Sequence, residues 1–433
     1  MKKRKINFQK IFCFTSFIFI TTCILWYGGR FIYFYQDSKK TEKVESNTLA
    51  QIIIKNNELK NINNYYYFQE DTTTNYIKYS NLLWRIIKIN NNNEIYLITD
   101  NVITHLADST ENYIAKWLNS SEELNTGILQ KNLNDPSKYL TNYNVCNDTV
   151  DNITEITCNN ESNTQLIGLL SIIDYINTGG EKSFINNGQY TYLQNKNTTN
   201  NLWFINDKGK LGTNDSSEIY GIKPVIKLTA NLDLVNGTGT IDDPYTIETE
   251  TSLFASYVKL SNDIWRVYDI DGDNIKLVLN NYLKTNDQNV FTKYSNNTYY
   301  HNDTVFSSLA YYLNNTYLNN LSYKDIINTS YWANYYYGED NNFNYQEVLT
   351  NQIDTKVSML SIGDIVLNNN KNKGFFINTG TSNNSNMIYT INSNGTLSRK
   401  NVTTNAYVIP TININKNILT KGNGTIEVPY EME

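Results

Sequence analysis

Histidine is nearly absent from this 433-residue chain: His105 and His301 are the only two. They do not align in the internal repeat described below, and neither stands in a Ser or Cys nucleophile motif. A catalytic triad and a two-His metal site are therefore set aside. Cysteine is almost as scarce, at four residues. Cys13 and Cys23 fall in an N-terminal apolar run, which leaves Cys146 and Cys158 in the loop-like stretch VCNDTVDNITEITC. No His or third Cys lies nearby to complete a zinc site. In an oxidising setting the two sulfurs close a small loop worth about 3 kcal/mol by chain-entropy reasoning; otherwise they stand as two thiols.

Charged residues are sparse too, at 18%, and the net charge of −6 is unevenly spread. Residues 1–43 hold nine Lys or Arg against Asp37 and Glu42, a net of +7, so the remainder carries −13. An acidic body argues against a nucleic-acid partner, whose recognition begins with phosphate neutralisation. It argues equally against lying on an anionic membrane surface. What is plentiful is tyrosine, 35 residues, and asparagine in runs such as 90–93 and 368–370. Asn-rich segments can signal prion-like disorder, but here they separate regular apolar runs and read as turns.

The N-terminus is MKKRK followed by an apolar run over 11–27, then Gly28-Gly29-Arg30 and an aromatic patch over 31–35. At 1.5 Å per residue the run spans about 25 Å, and about 35 Å with the patch, enough to cross a bilayer. Basic residues before it favour a cytoplasmic N-terminus, and Trp26, Tyr27, Tyr33 and Tyr35 suit the far interface. A cleaved signal peptide is the alternative, but aromatics and Arg follow the run where a small-x-small site is needed.

Beyond a polar stalk over 36–48 the chain says one thing twice. Residues 76–100 and 257–283 each lead through an alternating run to Trp-Arg (Trp84-Arg85, Trp265-Arg266), a polar turn and a second alternating run. That pattern predicts a β-hairpin with one buried face. Then, in the same order, come Trp117-Leu118-Asn119 and Tyr312-Leu313-Asn314. Leu169-Leu170-Ser171-Ile172 with Asp174 follows, matched by Met359-Leu360-Ser361-Ile362 with Asp364. The closing strands around Pro224 and Pro410 also match, as do the Gly-x-Gly-Thr ends at Gly237 and Gly422. There glycine supplies positive φ and a following proline stops the ladder. Each copy, at about 180 to 200 residues, is long enough to fold on its own core.

These motifs, from Leu-Trp-Arg-Ile to Gly-Ile-Lys-Pro-Val-Ile-Lys-Leu, resemble a bacterial surface-domain family of unknown function, loosely associated with C-type-lectin-like folds. The resemblance covers both copies. The second has Val408-Ile409-Pro410 where the family places a basic residue, and the family's Trp-Leu-Arg-Ser-Pro turn is legible in neither. The family implies no catalytic residues.

Candidate chemistry is thin. Asp269, Asp271 and Asp273 resemble the start of a calcium loop, but no bidentate Glu follows at the needed spacing, so a solvated Asp/Gly turn is the expectation. The recurring Asp174 and Asp364 suit an N-cap or turn; the other reading is a duplicated acid–base carboxylate. Trp84, Trp117, Trp203 and Trp265 read as core. Consecutive aromatics at Tyr65, Tyr66 and Tyr67, at Tyr299 and Tyr300, and at Tyr335, Tyr336 and Tyr337 cannot all face inward on a strand. Exposed Tyr among Asn suits stacking on sugars or docking a protein.

The sequence thus predicts an α+β protein: a basic tip and transmembrane signal anchor over 1–35, a stalk over 36–48, and two tandem, mutually similar, strand-rich domains over 49–248 and 249–433. The expected task is extracellular binding or adhesion at a cell surface, toward glycan or protein, with membrane contact through the anchor. No cofactor and no catalytic residue are expected. The alternatives are an extracellular carbohydrate-active hydrolase and a structural envelope role.

Overall fold

The structure is a computed structural model. It describes residues 47–433 apart from 109–111, 120–125, 155, 157, 199, 250, 297–305, 334, 337–351, 368–373 and 381–385. The expected anchor and stalk, but for its last two residues, lie outside the described residues, as do His301, Tyr299, Tyr300 and Tyr337. Among the described residues no helix is long and apolar enough to cross a membrane.

Thr48 begins the order with a capping box on the helix Leu49–Asn56, its hydroxyl and Gln51 satisfying each other's backbone N–H. From there the chain is strand-rich, with several sheets and few short helices. In the first half Tyr76–Tyr79, Leu82–Asn90 and Ile95–Thr99 form an antiparallel meander. Ile95–Thr99 continues through the closing strand Pro224–Leu228 to Ile167–Leu169. A smaller sheet runs in the order Leu211–Asp215, Asn201–Ile205, Thr191–Lys196, Tyr220–Ile222, Thr104–Leu106.

The second half repeats both sheets. Its meander, Tyr257–Leu260, Asp263–Asp271 and Asn274–Leu279, continues through Pro410–Asn415 to Val357–Met359. Its smaller sheet runs Leu397–Asn401, Met387–Ile391, Phe375–Gly380, Ala406–Tyr407, Phe291–Thr292. Even the irregularities recur: a register shift falls between Ile86 and Lys88, and again between Val267 and Asp269. Trp84 lies opposite Ile77 and Trp265 opposite Val258, and both indoles are fully buried. Among the described residues no strand ladder joins the two halves.

The recurring motifs have local causes. Asn119 hydrogen-bonds the carbonyls of Ala115 and Ile167 and accepts from the Ile167 N–H; Asn314 does the same with Ala310 and Val357. Each Asn thereby ties a short helix to a strand far along the chain. At each Gly-x-Gly-Thr end the first glycine has φ near +90°, and a Cβ on Gly237 or Gly422 would overlap the carbonyl oxygen of Pro244 or Pro429.

Two expectations need correction. The first hairpin is covered on both faces: Trp84, Ile86 and Ile89 join one buried cluster, while Ile87, Tyr96 and Ile98 join another with Tyr143 and Tyr175. The shift after Ile86 breaks the alternation, and Arg85 and Lys88 lie buried within it. Nor are the two interiors separate: the second of those clusters belongs to the first half alone, but the first runs continuously from Leu49 through Trp84 and Trp117 to Trp265 and Ile414. Apolar residues of the first half are covered by the second.

Candidate functional site: the cleft between the two halves

The junction is made by polar fingers around that shared core. Trp117 donates its indole N–H to the Gly363 carbonyl (2.9 Å), and Asn81 donates to the carbonyls of Ser252 and Phe254. The Val366 N–H reaches the Ile103 carbonyl at 2.7 Å. Asn132, the last residue of the helix Ile128–Asn132, donates to Asp269 and accepts from the Ile270 N–H at 2.8 Å. Lys131 pairs with Asp269 at 2.8 Å, and Lys276 adds a second cation at 3.6 Å.

Where the two smaller sheets approach, a cleft of about 380 Å³ remains. From the first half it is lined by His105, Tyr190, Glu218 and Tyr220, and from the second by Tyr389 and Arg399. Strand pairing fixes His105, Tyr220, Tyr389 and Arg399. Gly221, beside Tyr220, pairs with Thr191 on one side and His105 on the other, while Tyr389 lies opposite Arg399. Tyr190 stacks on Tyr220 (centroids 5.5 Å, 26° between planes) and on Phe204 (6.0 Å, 29°). The Arg399 guanidinium sits 5.6 Å from the Tyr389 ring centroid.

The cleft's floor is held across the halves. Gln189 donates to the Asn394 carbonyl at 2.8 Å, and a Cβ on Gly395 (φ +80°) would overlap that Gln189 amide. His105 Nε2 lies 2.9 Å from the Gly395 carbonyl; a carbonyl only accepts, so Nε2 carries the proton. Burial pushes this imidazole down to about 4, against a smaller upward pull from Gly395, so the ring is neutral near pH 7. Burial also raises the hydroxyls of Tyr220 and Tyr389, the latter opposed by Arg399. The lining combines aromatic faces, one fixed cation and one carboxylate, Glu218.

The residues singled out by sequence lie elsewhere. Tyr67 is buried and donates to Asp174 at 2.7 Å, while Tyr65 and Tyr66 are half-buried. The exposed platform expected there is corrected: Lys88 Nζ fills the space between the Tyr65 and Tyr96 rings, at 4.3 and 4.6 Å, and pairs with Asp174 at 2.7 Å. Tyr335–Tyr336 forms a short strand beside Phe375–Gly380. Asp269 sits in the junction, whereas Asp271 and Asp273 are exposed in the turn, with Asp273 3.6 Å from Lys416. Among the described residues the three do not converge as metal ligands; the group that does is Cys146, Asp148 and Cys158. Its two sulfurs are joined to each other in a disulfide.

Ser171, not Asp174, caps the helix Ile172–Asn177, and Asp364 accepts the Ser361 N–H in a turn. No single stretch announces the cleft, because its walls come from segments almost 300 residues apart in sequence. No protein-family model, curated protein or solved structure matches the chain.

Proposed function

We propose that this chain is a membrane-anchored extracellular binding protein that displays two repeated α+β domains and takes a glycan in the cleft between them. The supporting observation is the Tyr190–Tyr220 stack sharing one cleft with Tyr389, Arg399 and Glu218. Flat aromatic faces suit the C–H face of a pyranose ring, and a fixed donor and acceptor suit its hydroxyls. The anchor rests on the basic-then-apolar order of residues 1–35 and on the positive-inside bias. Kinship with the surface-domain family and with C-type-lectin-like folds rests on the motifs alone. A hydrolase using paired carboxylates fits less well, since Glu218 is the one carboxylate among the described lining residues.

The test is a glycan array and a surface-protein pull-down with the chain from Thr48 to Glu433, beside Tyr190→Ala. Tyr190 is 37% exposed, so its truncation leaves the core intact. Saturable glycan binding weakened by roughly tenfold, about 1.4 kcal/mol, is expected. Polysaccharide turnover without saturable binding, or a protein ligand indifferent to Tyr190→Ala, would sink the proposal.

A further inference from the structure

The strand that carries each Trp-Arg has one edge to hide. In the first half the edge at 88–90 is covered by the strand Tyr65–Tyr67, and the Phe68 N–H bonds the Ile87 carbonyl. Among the described residues the second half has no counterpart of that hairpin. Its edge is covered by the first half, through Asn132 on the Ile270 N–H and on Asp269. The first half therefore has an outgoing face, made of Asn81, Ile103, Trp117 and Asn132, that receives the second.

The same face exists on the second half. Asn262 stands where Asn81 does, after the first meander strand, and Tyr312 precedes Leu313-Asn314 as Trp117 precedes Leu118-Asn119. Leu283 donates its N–H to the Val408 carbonyl as Ile103 does to Ile222. Asn320 ends the second short helix before Leu321, as Asn132 does before Leu133. These four residues line one groove of about 510 Å³, with Tyr317 and Leu321 in its floor. Where Asn132 and Trp117 are 2% and 1% exposed, Asn320 is exposed and Tyr312 half-buried.

We infer that this groove is a docking face for a further unit of the same fold, one whose Trp-Arg strand edge is bare. The occupant's chemistry follows from the contact already made once: a strand-edge N–H with a neighbouring carboxylate, set against an exposed Asn and an apolar floor. A second copy of this chain does not qualify. Its first half is capped by the strand Tyr65–Tyr67, and the edge of its second half is held by its own Asn132. The groove thus reads as the receiving face for the next unit of a directional array.

The probe is the Thr48–Glu433 chain extended at its C-terminus by a second copy of residues 250–433, with the exposed Asn319→Cys in the chain, which leaves Asn320 in place, and the Ile270 equivalent of the appended unit changed to Cys. A control carries residues 49–248, hairpin included, in place of that unit. Cross-linking should exceed the capped control by roughly tenfold or more, because a docked contact adds to mere tethering. Asn262→Arg, on an exposed residue of the groove, should abolish the excess. An appended unit that stays protease-sensitive, equal cross-linking of the capped control, or indifference to Asn262→Arg would each overturn the inference.

Discussion

In the first half, the position one register shift beyond the Trp-Arg carries Lys88, paired with Asp174 on the helix Ile172–Asn177. In the second half the same position carries Asp269, and the partner position carries Asp364, also acidic. A carboxylate pair cannot neutralise itself, so the second half draws Lys131 from the first and Lys276 from its own neighbouring strand. One scaffold therefore holds an internal ion pair in one copy and a junction in the other. The scaffold constrains where a charge sits; the neighbour decides its sign and partner.

The comparison is sharpest at the buried indoles. Trp84→Ala and Trp265→Ala should each cost about 3–5 kcal/mol in chemical denaturation, and the two costs should agree within about 1 kcal/mol. A difference much larger than that would break the equivalence of the halves.

The paired aspartates should part in sign. Asp174→Asn leaves Lys88 buried without its counter-charge and should destabilise by about 3–5 kcal/mol. Burial pushes the Asp364 carboxyl up to about 6, with Lys276 opposing, so at pH 7 its ionisation works against the fold. Asp364→Asn keeps an acceptor for the Ser361 N–H and should stabilise at pH 7 by about 1–2 kcal/mol, allowing for its partial exposure. A matched loss in both variants would show that Asp364 stands in the ion pair of its counterpart.

A further expected effect concerns pH and the junction. His105 sits near 4 when folded against an ordinary 6.5, so the unfolded chain binds the proton first. Its contribution is complete above about pH 6.5 and drains as pH falls toward 4, by up to about 3 kcal/mol across the whole window. Asp364, raised from 3.8 to about 6, slopes the other way, its folded state favoured at low pH and penalised as pH rises through 6. The observed change is the difference of the two. Thermal melts of His105→Gln should lose the first slope and those of Asp364→Asn the second; an unchanged profile in His105→Gln would remove His105 from the junction's pH response.

Much of the architecture was legible in the residues, and the cleft was not. The order of Trp-Arg, Trp-Leu-Asn, Leu-Leu-Ser and Gly-x-Gly-Thr located the meander, the Asn tether and the terminal turn, since each is a short-range device. Asn119 could be matched to Asn314 because its spacing to Trp117 is local, but the carbonyl of Ile167 that it holds could not be guessed. Tyr65, Tyr66 and Tyr67 stand out as a run, although a strand beside Lys88 takes Tyr67 inward. Tyr190, Tyr220, Tyr389 and Arg399 carry no common motif.

The sequence by itself determined the duplication, the strand-rich character and the turns, because alternation and glycine placement act within a few residues along the chain. Only the tertiary structure decided that the two copies share one interior, that Asn132 of one closes the strand edge of the other, and that a cleft remains between them. Those outcomes depend on which faces meet across the chain, and contact at such separation leaves no period or spacing to read.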